Sequence, residues 1–192
     1  LISDPGYKLV RMIREQKISV KSAPGACSVI AALSVSGLPT NSFQFDGFIP
    51  AKSAARRIYF ESILFQERSV VLFESKHRIL ESFIALSEVL QSDREVFIAR
   101  EITKRFESDF KGSAKQCLDW LQSDKDHRKG EFVLVITGCG DEALTEKRAH
   151  EAKKIMDSLE GKLSVRDAVR VASEISGAQK NLLYDKVVGI KS

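Results

Sequence analysis

Residues 69–90 read SVVLFESKHRILESFIALSEVL, and this stretch predicts an apolar strand followed directly by a helix. The short apolar run at 69–74 is typical of a buried strand. Over 77–90 the apolar residues recur at helical spacing, which predicts a helix with one apolar side. Charged residues occupy the turn at 74–78. Because ligands of α/β sheets gather beyond the carboxyl ends of strands, this turn is a candidate functional site.

The same alternation of strand and helix extends along the chain in both directions. Short apolar runs bounded by turn residues predict strands, and apolar residues at helical spacing predict helices. The predicted strands are 18–22, 42–48, 69–74, 95–100, 104–110 and 132–136. The predicted helices are 7–16, 27–36, 52–65, 77–90 and 114–122. This alternation indicates an α/β fold with a mixed sheet.

The C-terminal part of the sequence is predicted to be helical. A charged helix over 141–159 precedes Ser164, which can cap a second helix. Ser176 and Gly177 then interrupt the pattern before a further helix that runs through Leu182, Leu183 and Val187. The apolar stripe of the second helix consists of Val165, Ala168, Val169, Ala172 and Ile175. Two helices around a glycine turn are typical of a helix-turn-helix and equally of a helical hairpin packed on the body.

These patterns divide the chain into three predicted parts. Residues 1–38 are expected to be the remnant of an N-terminal α/β domain, because the opening LISDPG reads as the middle of a strand–helix unit. Residues 39–140 are expected to form a second, mixed-sheet α/β domain, and residues 141–192 a helical, helix-turn-helix-like module. We therefore expect this chain to be a fragment of a longer protein.

Composition narrows the class of protein. A net charge of +4 permits a polyanionic partner without requiring one. No apolar run approaches the roughly 20 residues of a membrane-spanning helix. Cys27, Cys117 and Cys139 have neither zinc-type nor Cys-x-x-Cys spacing, which favours a reducing compartment over a disulfide framework. We expect a cytoplasmic protein with no metal and no membrane partner.

Seven segments occur in an order that is specific, although each alone is a weak signal. They are LISDPG at 1–6, APGACS at 23–28, SGLP at 36–39, DGFIPAK at 46–52, FESKHR at 73–78, AREITK at 99–104 and KGE at 129–131. The ordered set resembles the methyltransferases that modify a cytidine ribose in small-subunit ribosomal RNA, within the tetrapyrrole-methylase superfamily. The resemblance runs from residue 1 into the C-terminal helical part.

The sequence departs from this family near the expected cofactor pocket. The family usually has Pro where this chain has Ala26, Ser at Cys27, Ala at Ser28 and Pro at Lys76. The family's glycine-rich first loop and the Gly-Thr-Pro that would precede Leu1 do not occur in this sequence. We therefore expect much of the cofactor site to be contributed by residues outside this chain.

The resemblance implies S-adenosyl-L-methionine as the cofactor. The turn at 24–28 opens a helix, and Gly25 permits close approach to the free N–H groups of that helix. Taken alone, the turn is also compatible with a plain strand-to-helix connection. The implied cofactor contacts are Pro24, Gly25, Cys27, Ser28, Phe73, Ala99, Gly130 and Glu131.

Three residues near the strand ends are candidates for the chemical step. Methyl transfer to a sugar hydroxyl needs positioning, together with a base or a cation that stabilises the developing alkoxide. The candidates are Glu74, Glu101 and Lys104. The competing interpretation treats Glu74 as a helix N-terminal charge, and Glu101 with Lys104 as an exposed ion pair.

Basic residues on the predicted helix at 52–65 and near the same strand ends are candidate contacts to RNA phosphates. They are Lys52, Arg56, Lys76, His77, Arg78, Arg100 and Arg105. The alternative is that this set is an ordinary solvated surface.

The expected function is 2′-O-methylation of a cytidine ribose in small-subunit ribosomal RNA, carried out by a homodimer. Two alternatives stay open: an inactive fragment that retains RNA-binding or dimerisation surfaces, and a tetrapyrrole methylase of the same superfamily. The C-terminal helices are expected to hold the RNA without taking part in the chemical step.

Overall fold

The computed structural model describes residues 6–90, 94–181 and 183, and its contacts divide the chain into two compact units. The first unit contains the chain up to Glu61 and Arg68–Thr137. The second contains Ser62–Glu67 and the chain from Gly138 onward. The further division of the first unit at residue 38 stays a prediction.

The first unit is built from five helices and five strands within the described residues. The helices are α1 (Tyr7–Glu15), α2 (Ser28–Val35), α3 (Ser53–Ser62), α4 (Ile79–Val89) and α5 (Ala114–Ser123). The strands are β1 (Phe43–Phe48), β2 (Ser69–Ser75), β3 (Glu95–Arg100), β4 (Ser108–Ser113) and β5 (Glu131–Ile136). A single turn of 3₁₀ helix at Asp126–Arg128 precedes β5.

The five strands form one mixed sheet in the order β1-β2-β5-β3-β4. β1 and β2 are parallel, whereas β5 lies antiparallel to both β2 and β3. β2 and β3 therefore run in the same direction, and their carboxyl ends lie at the same edge as the amino end of β5. The expected mixed α/β sheet is confirmed, and its central strand, β5, comes last in the sequence of this unit.

Each face of the sheet carries a different set of side chains because successive residues of a strand point to opposite sides. On one face α2 packs through Val29, Ala32 and Leu33. The strand residues in the same cluster are Val71, Phe97, Ala99, Val133 and Val135. On the other face, Ser82 of α4 donates to the side chain of Glu74. The alternation thus decides which strand residues face α2 and which face α4.

Two of the predicted strands differ from the structure. No strand occurs at 18–22, where the chain leaves α1 through Lys17 (φ +58) and Ile18 is 58% exposed. The strand expected at 104–110 begins only at Ser108, because Glu101 and Thr103 adopt positive φ angles of +52 and +65 and turn the chain. Both predictions relied on β-forming composition. Composition does not reveal that Lys17, Glu101 and Thr103 adopt positive φ angles.

The second unit contains α6 (Asp141–Leu159) and α7 (Val165–Ser176), which confirms the helical prediction for this part. The side chain of Ser164 caps α7 by accepting from Asp167 N, and Gly177 ends it at φ +72. The predicted apolar stripe is narrower than expected, since Val165 and Ile175 are 47% and 69% exposed. Its buried members are Ala168, Val169 and Ala172. The predictions for Leu182 and Val187 lie outside the described residues.

Candidate active site

A cleft of about 910 Å³ opens at the edge of the sheet where β2 and β3 end and β5 begins. Its apolar wall is formed mainly by Phe48, Phe73, Ala99, Ile102 and Val133. Its polar rim includes Ser28, Lys76, His77, Glu101, Lys104, Lys129, Gly130 and Glu131. The cleft therefore combines an apolar surface with charged groups of both signs.

The apolar wall follows from the register of three neighbouring strands. Phe73 of β2 pairs with Val133 of β5, and Val133 pairs in turn with Ala99 of β3. These three residues consequently form a row on the face of the sheet that carries α2. Phe73 is held in place by edge-on contacts with the rings of Phe45 and Phe48, at centroid distances of 4.8 and 5.5 Å.

Glu74, a predicted catalytic residue, has a buried carboxylate on the opposite face of the sheet. Its side chain is fully buried. Oε1 accepts from Arg78 Nη2 at 2.8 Å and from Ser75 N at 2.7 Å, and Oε2 accepts from Ser82 Oγ at 2.6 Å. The alternation that turns Phe73 towards the cleft turns the next side chain away from it. Residue 74 borders the cleft, but its carboxylate does not open onto it, so we do not retain it as a catalytic group.

Three of the predicted RNA contacts are bonded inside the protein instead. The Arg56 side chain is 3% exposed and donates to Ser82 Oγ, Ala51 O and Glu81 Oε2. Arg100 is 8% exposed and donates to Lys129 O and Phe106 O, both at 2.7 Å. Arg78 forms the ion pair with Glu74. These guanidinium groups stabilise buried acceptors, so they are poorly placed to bind phosphate.

The other four predicted RNA contacts are exposed. Lys52, Lys76, His77 and Arg105 have exposed side chains. Lys76 and His77 lie at the rim of the cleft, directly after β2. The guanidinium of Arg105 lies 5.5 Å from the ring centroid of Phe106. These four basic side chains remain available to a polyanion.

Glu101, Lys104 and Glu131 form a charged cluster that links the end of β3 to the start of β5. Glu101 N donates to Glu131 O at 3.0 Å, and Glu131 N donates to Glu101 Oε1 at 2.8 Å. Lys104 Nζ donates to Glu101 Oε1 at 3.0 Å and to Glu131 Oε2 at 2.7 Å. The structure thus brings together two predicted catalytic residues and one predicted cofactor contact.

Gly130 leaves space for the side chain of Glu101. A Cβ atom on Gly130 would lie 2.4 Å from Glu101 Cγ and 2.6 Å from Glu101 Oε1. These distances are too short for non-bonded atoms, so residue 130 or the Glu101 side chain would have to move. Gly130 also has a φ of +96, a conformation that residues with a side chain rarely adopt. The glycine predicted to contact the cofactor therefore has a second role, because it determines where the carboxylate of Glu101 lies.

The charged cluster keeps both Glu101 and Lys104 ionised at neutral pH. The hydrogen bond from Lys104, helped by the one from the Glu131 backbone, lowers the pKa of Glu101. Hydrogen bonds to Glu131 and then to Glu101 raise the pKa of Lys104. A carboxylate with a lowered pKa is a weak proton acceptor. Glu101 is better suited to accept hydrogen bonds or to face a positive charge, and Lys104 to stabilise a negative one.

The predicted cofactor turn only partly reaches the cleft. Ser28, the first residue of α2, lines it. Cys27 is half-buried against the core beneath α2, and Pro24 and Gly25 are exposed. The sequence analysis missed Phe48, Ile102, Lys129 and Val133 as lining residues. Of these, Val133 could be found only from the strand register, which places it between Phe73 and Ala99.

The part of the chain that the structure describes contains neither a candidate metal site nor a candidate membrane-spanning helix. No group of three or more His, Cys, Asp or Glu side chains is arranged to hold a metal ion there. Among the same residues no helix has both the length and the apolar character needed to cross a membrane.

Gly130→Ala should displace the side chain of Glu101. The new methyl group would overlap with Glu101, and the φ of +96 is unfavourable for alanine. We expect the free energy of unfolding, measured in urea, to fall by about 1 kcal/mol or more. Gly25→Ala is the matched control, because its Cβ would have no atom within 4 Å. Equal stability of the two variants would contradict this account of Gly130.

Lys104→Met should raise the pKa of Glu101, because it removes the hydrogen bond that lowers it most. Carboxyl chemical shifts followed by NMR during a pH titration would measure the change. Glu101 stabilises the fold above the ordinary pKa of a glutamate, and this contribution is lost as pH falls through its lowered pKa. In the variant this contribution should therefore be smaller, and its loss should be complete at a higher pH than in wild type.

Lys129→Met is the control for this titration. Lys129 pairs with Asp126 at 2.7 Å and lowers the pKa of that residue. The control should raise the pKa of Asp126 and leave Glu101 unchanged. A Glu101 pKa that is the same in wild type and Lys104→Met would refute the proposed pairing.

In a comparison with known proteins, each unit matches a family model. A family model described as tetrapyrrole (corrin/porphyrin) methylases matches residues 1–117. A second, described as the RsmI C-terminal HTH domain, matches residues 146–191. The match of this second model supports the helix-turn-helix interpretation of the C-terminal helices.

Curated relatives that align with nearly all of this chain share one name. Ribosomal RNA small subunit methyltransferase I of Pseudomonas aeruginosa is 38% identical over 188 residues, which is 98% of this chain and 67% of that protein. The protein of the same name from Vibrio cholerae is 41% identical over 184 residues, which is 96% of this chain and 64% of that protein. The chain thus spans about two thirds of the length of the curated relatives it matches.

A solved structure, uroporphyrin-III-C-methyltransferase from Thermus thermophilus, is a more distant likeness. It has a TM-score of 0.48 and 16% identity, over 70% of this chain and 58% of that one. The match of the first family model to most of the chain, together with the Pseudomonas relative, identifies the chain as a member of the tetrapyrrole methylase family.

Proposed function

We propose that the complete protein transfers a methyl group from S-adenosyl-L-methionine to the 2′-hydroxyl of a cytidine ribose in small-subunit ribosomal RNA. The observation that carries this proposal is the convergence of predicted residues from three strands on one cleft. Phe73 and Ala99 lie on its wall, and Glu101, Lys104 and Glu131 on its rim. The name shared by the relatives supports small-subunit ribosomal RNA as the substrate.

The cleft fits the proposed cofactor in its chemistry. The row of Phe73, Ala99 and Val133 offers an apolar surface suited to a planar adenine ring. Ser28 offers a hydroxyl, and the ionised Glu101 offers an acceptor for hydroxyl groups or a partner for positive charge. The cofactor, when bound, supplies a methyl group that is already activated on a sulfonium. The protein then has to orient the two reactants and remove the proton that the ribose hydroxyl loses.

Lys104 and His77 are the residues of the cleft that we propose to act on the acceptor hydroxyl. Negative charge develops on the ribose oxygen during transfer, and a fixed cation stabilises such charge. Lys104 is held as a cation by its two carboxylate partners. His77 lies at the same rim, and histidine is the side chain that most often moves protons in catalysis. Glu101 holds Lys104 in position and does not take the proton itself.

The exposed basic side chains at the rim favour RNA over a tetrapyrrole as the substrate. Lys76 and His77 border the cleft, and Lys52 and Arg105 are exposed elsewhere on the same unit. Such scattered basic side chains can follow a phosphate backbone. The C-terminal match to a helix-turn-helix domain agrees with a nucleic-acid substrate.

We further propose that the protein works as a cytoplasmic homodimer without a metal. Large apolar side chains that are more than half exposed on the first unit offer a surface that a second copy, or the part of the N-terminal domain outside this chain, would cover. They include Tyr7, Leu9 and Met12 of α1, and Ile30 and Val35 of α2. A second copy that covers these side chains would remove them from water. A ribosomal substrate implies that the protein acts in the cytoplasm.

Incubation of the complete protein with undermethylated small ribosomal subunits and labelled S-adenosyl-L-methionine should label one ribose. Fully methylated subunits are the control and should take up no label, because their acceptor hydroxyl is already blocked. Nuclease digestion followed by mass spectrometry would locate the methyl group. Label on a base, or no label from a protein shown to bind the cofactor, would contradict the proposed function.

A further inference from the structure

A second cleft, in the C-terminal unit, is lined almost entirely by charged side chains. Its volume is about 600 Å³, and its described lining consists of Arg166, Asp167, Val169, Arg170 and Lys180. Three of these residues are cations and one is an anion. The only apolar residue among them, Val169, belongs to the buried core of the unit. The cleft is therefore markedly basic.

The arrangement of the cations follows from the geometry of α7 and the turn after it. Arg166 and Arg170 are four residues apart on α7, so their side chains lie on the same side of the helix. Gly177 ends the helix with a φ of +72 and reverses the chain. This turn returns Lys180 to the same cleft, although it is ten residues beyond Arg170.

Among the residues that the structure describes, most of the positive charge in this cleft has no carboxylate partner. Asp167 Oδ2 accepts from Ser164 Oγ at 2.7 Å, and Arg170 Nη2 lies 3.4 Å from Asp167 Oδ1. The one carboxylate is thus already engaged in capping α7 and in orienting Arg170. In the segments the structure describes, no carboxylate lies within 4.0 Å of Arg166 or Lys180, and both side chains are exposed.

We propose that this cleft binds the phosphate backbone of the RNA substrate. The proposal rests on the proposed function and names the part of the second unit that holds the substrate. Pockets for small organic ligands are mostly apolar, whereas this lining is charged. It contains no aromatic side chain among the described residues on which a base could stack. The contacts are therefore to phosphates, and they position the RNA without reading its sequence.

The test compares two double variants of the complete protein that remove the same charge. Arg166→Gln with Lys180→Gln removes the two uncompensated cations of the cleft. Lys153→Gln with Lys154→Gln removes two exposed cations of α6 that do not line it. The probe is a fluorescent single-stranded fragment of small-subunit ribosomal RNA, followed by anisotropy between about 50 and 200 mM salt.

The cleft variant should lose about 0.7 from the salt-dependence slope for each phosphate contact removed, or about 1.4 in total. Its affinity should fall roughly tenfold or more at low salt. The rate of methyl transfer at saturating ribosomal subunit should stay near that of wild type, because only substrate binding is weakened. The α6 variant should match wild type in slope and affinity.

Equal losses in both double variants, or none in either, would overturn the assignment of this cleft. Calorimetric binding of S-adenosyl-L-methionine, unchanged in both, would show that neither variant has disturbed the first unit. If the cleft variant shows the predicted change in slope while the wild-type protein transfers no methyl group, the cleft is supported and the proposed reaction is refuted. The two proposals can thus fail separately.

Discussion

The cleft of the first unit depends on the hydrogen bonds that join Glu101 to Glu131. Glu101 lies just beyond β3 and Glu131 begins β5, so these bonds join the loop after one strand to the start of its neighbour. They require a positive φ at Glu101, which costs energy, and a glycine at position 130 to make room. The positions of Glu101, Lys104 and Glu131 at the rim follow from that link.

The link also determines which chemistry the rim can perform. Because Lys104 bonds to both carboxylates, the cluster is a fixed arrangement of charges that stays ionised around neutral pH. Such an arrangement stabilises charge that develops in a reaction without having to reorganise. It is poorly suited to taking up a proton, so Glu101, predicted as a catalytic residue, is better suited to positioning other groups. Catalysis by orientation and electrostatics agrees with a cofactor that brings its own activated methyl group.

The sequence predicts which elements form more reliably than which way their side chains point. The alternation of β2 and α4 was visible in residues 69–90, and both elements are confirmed. The sequence did not reveal the orientation of Glu74 or the burial of Arg56 and Arg100, because these depend on pairing and packing between distant segments. Val133 was missed for the same reason, since its neighbours Phe73 and Ala99 come from strands far away in sequence. The ordered motifs, in contrast, identified the family without any structural information.

We propose that the cofactor lies against the row formed by Phe73, Ala99 and Val133. NMR of the complete protein, labelled with ¹³C at its alanine methyl groups, tests this directly without a substitution. On addition of S-adenosyl-L-methionine, the Ala99 methyl resonance should shift strongly because an aromatic ring is placed beside it. The Ala114 methyl group, which is equally buried but begins α5 and does not line the cleft, should stay in place. An unshifted Ala99 in a protein that binds the cofactor would contradict the account.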